Sequence, residues 1–364
     1  MKKDSLKILI APAVLINLRE SSGFTFEEIA KKLNISDVDK IRQAEKIKSP
    51  FTLNQIKKLA DIYHRPLAAF FSDTAPEALQ ALPDYRLNRN KKLSPEVYLA
   101  QRRAYFLSGK IEELGNKKSL IPAFPDHYNA NELADAFRQY LACEQIKSKK
   151  HDEILSYYKN VLEEKLAIAI IEYPLKADDV RAFSISAELS IIVLNEGDKP
   201  QIKLFSLFHE MCHLIKRKSG ICSIDIEQRN DEDIETCCNQ FAAEFLVPSN
   251  DLLNETKKIS ALNSNSVSDL SKIYGVSKQV IMIRLRWLNL ISPKQYETYK
   301  KSVDGVAPKR GKFGKRNWNK LFYNRAGNLA IKEVSKSYRR GDISFFEAID
   351  VLKMKSKYAE KFIS

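Results

Sequence analysis

The segment FSLFHEMCHLIK sets His209, Glu210 and His213 in the pattern HExxH. Four residues make about one helical turn, so on a helix the two imidazoles project from one face and can place two nitrogens on a single Zn²⁺. Glu210 adjoins His209, too close along the chain to complete the same tetrahedron easily. It stands where a carboxylate can take a proton from water at the metal, and it reads as a general base. A base beside a Lewis acid is the chemistry of peptide-bond hydrolysis. With five histidines in 364 residues, a chance HExxH is expected on the order of 0.5% of the time. The apolar flanks Phe205, Leu207, Phe208, Leu214 and Ile215 put the motif on a buried helix.

A catalytic zinc needs a third protein ligand and an open position. DEDIETCCNQFAAEFLVP reads as the next helix, and Glu235 falls 22 residues after His213 (235 minus 213), enough for a loop and an antiparallel return. Asn239 lies one turn further on the same face, placed to orient a ligand histidine. Glu244 is the rival ligand; it and Glu232 otherwise read as solvated helix charges. Cys237 and Cys238 are adjacent and cannot easily face one ion together, and with Cys212 they read as packing thiols. Two imidazoles and a carboxylate do not fix the metal, so Zn²⁺ is expected with Mn²⁺ as the alternative.

The elements that must hold these residues follow from periodicity. Residues 11 to 71 read as short helices: an amphipathic Ala13 to Glu20, a second opened by Thr25 with Glu28 as a capping box, and a third capped by Ser36. Residues 76 to 94 lack periodicity and read as a linker. Helices are expected from Pro95 to about Gly115, over 131 to 143 and over 151 to 164. Short β-branched runs at 166 to 173, 181 to 185 and 190 to 194 predict a small sheet of about three strands. Helices resume over 201 to 217, 232 to 247, 267 to 274 and 277 to 288. Helices, a small sheet, then helices indicate an α+β, mostly helical fold rather than alternating βαβ units.

At this point HEMCH, followed by ETCCNQFAAEFLVP and preceded by IIVLN and FSLFHE, resembles the ImmA/IrrE family of zinc metallopeptidases over about 160 to 290. The resemblance implies a zincin-like domain with His209, His213 and Glu235 on zinc and Glu210 as base. It also implies an endopeptidase that cleaves a helix-turn-helix repressor or an antitoxin-type partner, in stress, phage or mobile-element regulation. Cys212 and Cys238 stand where glycine and alanine are usual in that family. FTFEEIAKKLNISDVDKIRQAEK, with SPFTLNQIKKLADIYHRPLAAFF, resembles an XRE-type helix-turn-helix. Read together, the chain divides into an XRE-like segment (1–75), a linker (76–94), a metallopeptidase domain with a helical lead-in (95–292) and a basic helical region (293–364). The alternative reading is a DNA-binding regulator or antitoxin whose peptidase fold is structural or weakly active.

Charge bears on the partners. The chain carries 60 Lys and Arg against 46 Asp and Glu, a net charge of +14, and residues 301–364 alone hold 16 against 6. A basic tail suggests polyanions, although a solvated helix face has the same composition. KRGKFGKRNWNK supplies Lys309, Arg310, Lys312, Lys315, Arg316 and Trp318, cations and a ring of the kind that hold single-stranded nucleic acid. In the XRE-like segment Ser36, Lys40, Arg42 and Gln43 would face a double-stranded groove, while Asp37 and Asp39 suit phosphate poorly. A second helix-turn-helix-like pair over 267 to 292 carries Lys278, Gln279, Arg284 and Arg286, but Val280, Ile281, Leu285 and Leu288 point to completion of a core. With 44% hydrophobic and 29% charged residues the chain is globular rather than disordered. No apolar run approaches the roughly 20 residues of a bilayer span, and five cysteines without a CxxC ladder fit reduced thiols. A cytoplasmic protein that keeps its N-terminus is expected, with oligomeric state open and a dimer compatible with paired half-sites.

Overall fold

The structure is a computed structural model describing residues 7–47, 49–72, 93–175, 180–217, 220–222, 234–304 and 317–363. The chain forms two compact units, Met1–Ala81 with Asn90–Arg103, and Leu82–Arg89 with Ala104–Ser364. The expected linker falls almost wholly outside the described residues.

The first unit runs β1 (Lys7–Ile10), α1 (Pro12–Glu20), α2 (Phe26–Leu33), α3 (Asp39–Ala44), β2 (Ser49–Thr52) and α4 (Leu53–Tyr63), then a 3₁₀ turn at Leu67–Phe70. The Thr25–Glu28 capping box forms as its sequence indicates, and Asn34 in the left-handed region ends α2. Ser36 does not cap the third helix. The Asp37 carboxylate accepts from Asp39 N at 3.1 Å, a local Asx turn that competes with helix and delays α3 to Asp39. The antiparallel pair β1–β2 is also new relative to the helix-only expectation; four residues per strand are too few for an alternation to register. The apolar stripes close one core around Val14, Leu18, Ile29, Ile56 and Phe70.

After α5 (Pro95–Gly115), whose residues from Ala104 belong to the second unit, that unit continues with α6 (Ala130–Leu141), α7 (His151–Leu166), β3 (Ala169–Tyr173), β4 (Ala182–Ile185), β5 (Ile191–Asn195) and α8 (Pro200–Ile215). Then come β6 (Gly220–Cys222), α9 (Ile234–Leu246), α10 (Ser249–Lys257), α11 (Ser264–Tyr274), α12 (Lys278–Trp287), α13 (Pro293–Asp304), α14 (Trp318–Ala326), α15 (Asn328–Arg340), α16 (Phe345–Leu352) and α17 (Ser356–Ile363). The fold is α+β and mostly helical. Its sheet has four strands in the order β3-β5-β4-β6, with β3 and β5 parallel and the other pairs antiparallel, rather than the three expected. The fourth, β6, is only three residues long.

The central strands β4 and β5 are buried at every residue, as expected for a sheet covered on both faces. Helix α8 packs on β4 and β5, while α14 and α15 pack on β3. Gly327, between α14 and α15, has φ +84° and lies so close to β3 that a Cβ there would meet Ile170 O at 2.9 Å. No described helix is long and apolar enough to cross a membrane.

Candidate metal centre

Strand β5 delivers the chain through a short turn to Pro200, whose fixed φ suits the first position of α8. From Lys203 to Ile215 every residue of α8 is buried, so the helix is a core element rather than a surface one. Helix α9 packs against it in the opposite direction: His213 meets the start of α9 at Glu235, and Phe208 stacks on Phe245 near its end with centroids 4.0 Å apart. Phe137 on α6 and Tyr158 on α7 complete the aromatic cluster that locks the pair. Lys203 fixes α8 to β3 by donating to Glu172 at 2.6 Å, and Lys159 reaches the other Glu172 oxygen at 3.2 Å.

On that scaffold His209 Nε2 and His213 Nε2 lie 3.2 Å apart. Glu235 reaches both, with Oε2 3.3 Å from His209 Nε2 and Oε1 3.0 Å from His213 Nε2. His209 Nδ1 is 2.9 Å from Asn239 Oδ1; an amide oxygen accepts, so Nδ1 carries a proton, which leaves Nε2 as the nitrogen a metal would take in the neutral ring. The histidines and Glu210 are completely buried. Burial works to raise the Glu235 carboxyl, but the hydrogen bonds and charges of the two histidines outweigh it and draw it down to about 2. Burial also pushes Glu210 up, against the pull of both histidines and of Ser184. Ser184 Oγ donates to Glu210 Oε2 at 2.8 Å, whereas Glu210 Oε1 is buried and accepts no hydrogen bond from the described residues.

These atoms fit a divalent metal. Zinc bonds of 2.0–2.1 Å at tetrahedral angles put neighbouring ligand atoms about 3.3 Å apart, close to the 3.2, 3.3 and 3.0 Å separations here. Two ring nitrogens facing one another beside a carboxylate held in its anionic form are what a cation would satisfy together.

The other expected residues are distributed differently. Glu244, the rival ligand, sits at the far end of α9 bound to Ser249 N at 2.8 Å, to Ser249 Oγ at 2.7 Å and to Arg284. Arg284 is thereby buried, packed rather than available to a nucleic acid. Ser36, Lys40, Arg42 and Gln43 are exposed on the first unit, with Arg42 paired to Glu27 at 2.8 Å. Trp318 opens α14, half-exposed and stacked on Phe322; Lys309, Arg310, Lys312, Lys315, Arg316 and Glu232 lie outside the described residues. The sequence reading missed Ser184. Its signal was a single hydroxyl inside the apolar strand AFSI, and only the pairing of β4 beside α8 shows what it holds. It also read Cys238 as a packing thiol, whereas its sulfur lies within 4.8 Å of a ring nitrogen of each of His209 and His213.

Residues 163–286 match the family model described as the IrrE N-terminal-like domain, Peptidase_M78, which supports a zincin-like metallopeptidase domain. The matched stretch begins in α7 and ends in α12, so it contains the sheet, α8 and α9. A comparison with curated proteins gave no match.

Proposed function

We propose that the second unit is a zinc-dependent endopeptidase that cleaves a regulatory protein of the helix-turn-helix repressor or antitoxin type. The observation that carries this reading is the convergence of His209 Nε2, His213 Nε2 and a Glu235 carboxylate oxygen at 3.0–3.3 Å, with the unbonded Glu210 Oε1 on the adjoining residue. His209, His213 and Glu235 would hold the metal, with Mn²⁺ as the alternative occupant. Bound there, it would supply Lewis-acid polarisation of a peptide carbonyl and acidify water.

The chain's own residues supply the rest. Asn239 holds the His209 ring and fixes its tautomer. Ser184 holds one oxygen of Glu210, which leaves Oε1 to take the proton from the attacking water and pass it to the leaving amine. The match to the IrrE N-terminal-like domain supports the peptidase class, and the regulatory substrate is what the resemblance of HEMCH and ETCCNQFAAEFLVP to the ImmA/IrrE family implies.

The test is incubation of the zinc-loaded full chain with candidate helix-turn-helix repressors and neighbouring-gene products, with Glu210→Gln as control. Cleavage that disappears in Glu210→Gln while zinc stoichiometry is retained supports the proposal. Cleavage that persists in that variant removes Glu210 as base, and binding without cleavage moves the protein to the regulator class.

A further inference from the structure

Next to the histidine pair is a sulfur that the hydrolytic scheme does not use. Cys238 Sγ forms a compact set with one ring nitrogen each of His209 and His213, all three atoms lying within 4.8 Å of one another. Cys238 follows Glu235 by three residues on α9, so both project toward α8 from adjoining turns of one face. The residue is completely buried. The Cys212 thiol on α8 is completely buried as well, so both sulfurs lie inside the core on which the histidine pair stands.

The geometry points to Cys238 as a fourth metal ligand, making the resting centre a closed tetrahedron of His209, His213, Glu235 and Cys238. This rests on the metal reading of the same residues and adds a regulation to it. A zinc–sulfur bond of 2.3 Å beside a zinc–nitrogen bond of 2.0–2.1 Å sets the S···N edge at about 3.6 Å. Within 4.8 Å of both nitrogens, the sulfur stands at most about 1.2 Å outside that edge, a gap that metal binding would draw closed. Coordination breaks the S–H bond, forms the metal–sulfur bond and releases one proton to solvent for each ion bound.

The consequence is functional. A zinc with four protein ligands has the closed shell of a structural site, whereas hydrolysis needs a position for water. Cys238 therefore acts as a gate: substrate or a partner must displace its sulfur before Glu210 has a water to deprotonate. Met, Ala or Ser at this position would leave the vertex open or weakly held.

The probe is Co²⁺ added to the full, metal-stripped chain, read by absorption. The expected result is one equivalent of cobalt bound with a thiolate-to-cobalt charge-transfer band. That band is lost in Cys238→Ser and Cys238→Ala, where affinity falls about tenfold or more, and it is kept in Cys237→Ser. Zinc X-ray absorption of the unsubstituted chain should show one sulfur at about 2.3 Å among nitrogen and oxygen neighbours, a readout that needs no variant to fold. Cobalt bound without the band, or zinc with nitrogen and oxygen alone, overturns the proposal while leaving the metallopeptidase reading intact. A band that survives Cys238→Ser and vanishes in Cys212→Ser also overturns it. Failure to bind cobalt or zinc at all removes the metal reading and this inference together.

Discussion

Helix α9 carries a buried glutamate near each end, and the two face partners of different kinds. At the far end Glu244 has every need met inside the protein: Ser249 donates through N and Oγ, Arg284 supplies a charge, and Arg284 Nε is spent on Val247 O at 3.0 Å. At the near end Glu235 faces two imidazole nitrogens, and Glu210 beside them keeps an oxygen without a hydrogen bond from the described residues. A satisfied buried ion pair fixes geometry and has no capacity left for a ligand. Two ring nitrogens and a carboxylate oxygen converging within 3.0–3.3 Å of one another have a shared point at which a cation can stand. The difference separates a structural carboxylate from a candidate ligand when residue type, burial and helix are the same.

The largest expected effect is on chemistry at the near end. Glu210→Gln should reduce cleavage by about 10²–10⁴-fold with zinc content and melting temperature little changed, measured by gel assay, metal analysis and calorimetry. A loss of zinc in parallel would show Glu210 to be a ligand instead. Next comes the exchange between the two ends. Glu235→Ala should lower zinc affinity by more than about 100-fold and also cost the metal-free protein some stability, because the histidines hold that carboxyl down at about 2. Glu244→Ala should leave zinc stoichiometry unchanged, while stability falls by about 3–5 kcal/mol because Arg284 is left buried without its charge partner. Denaturant unfolding of the metal-free variants beside zinc titration reads both. If Glu244→Ala releases the metal and Glu235→Ala does not, the assignment is inverted.

How much of this was legible in the sequence follows from the range of each interaction. His209, Glu210 and His213 are set by i, i+4 spacing, and Thr25–Glu28 by i, i+3, so local rules suffice. The pairing of Glu235 with Asn239 on one face was also local, and its distance from His213 required only a return helix. The choice between Glu235 and Glu244 was not, because it depends on Arg284, 40 residues beyond Glu244. Ser184 meets Glu210 only after β4 joins β5 and α8 folds across the sheet. The approach of the Cys238 sulfur to both histidines depends on how closely α8 and α9 pack, which no spacing encodes. Strands as short as β1, β2 and β6 have too few residues for an alternation to show.

A smaller effect tests whether the near end is built beyond its ligands. Asn239→Ala removes the acceptor that fixes the His209 tautomer. Zinc affinity should fall by about 10–100-fold, while Asn239→Asp, which keeps an accepting oxygen, should restore most of it. Competitive chelator titration distinguishes the three proteins. Equal affinity in all of them would make Asn239 a packing residue.

The smallest expected effect is a slope, and it comes from a second buried carboxylate of the satisfied kind, Glu172. Burial works to raise Glu172, but Lys159 and Lys203 outweigh it and hold its folded value below the ordinary 4.5. A carboxyl lowered by folding stabilises the folded state fully above its unfolded pKa, and that contribution is lost as pH falls through the folded value. Unfolding free energy measured below pH 4.5 should therefore drop more steeply in the natural sequence than in Glu172→Gln, the other carboxylates being common to both. The constant offset between the two curves at neutral pH reports the unpaired lysines, and only the difference in slope reports the titration. Parallel acid limbs would mean that the lysines do not hold Glu172 ionised, and that its pairing fixes geometry without favouring the carboxylate form.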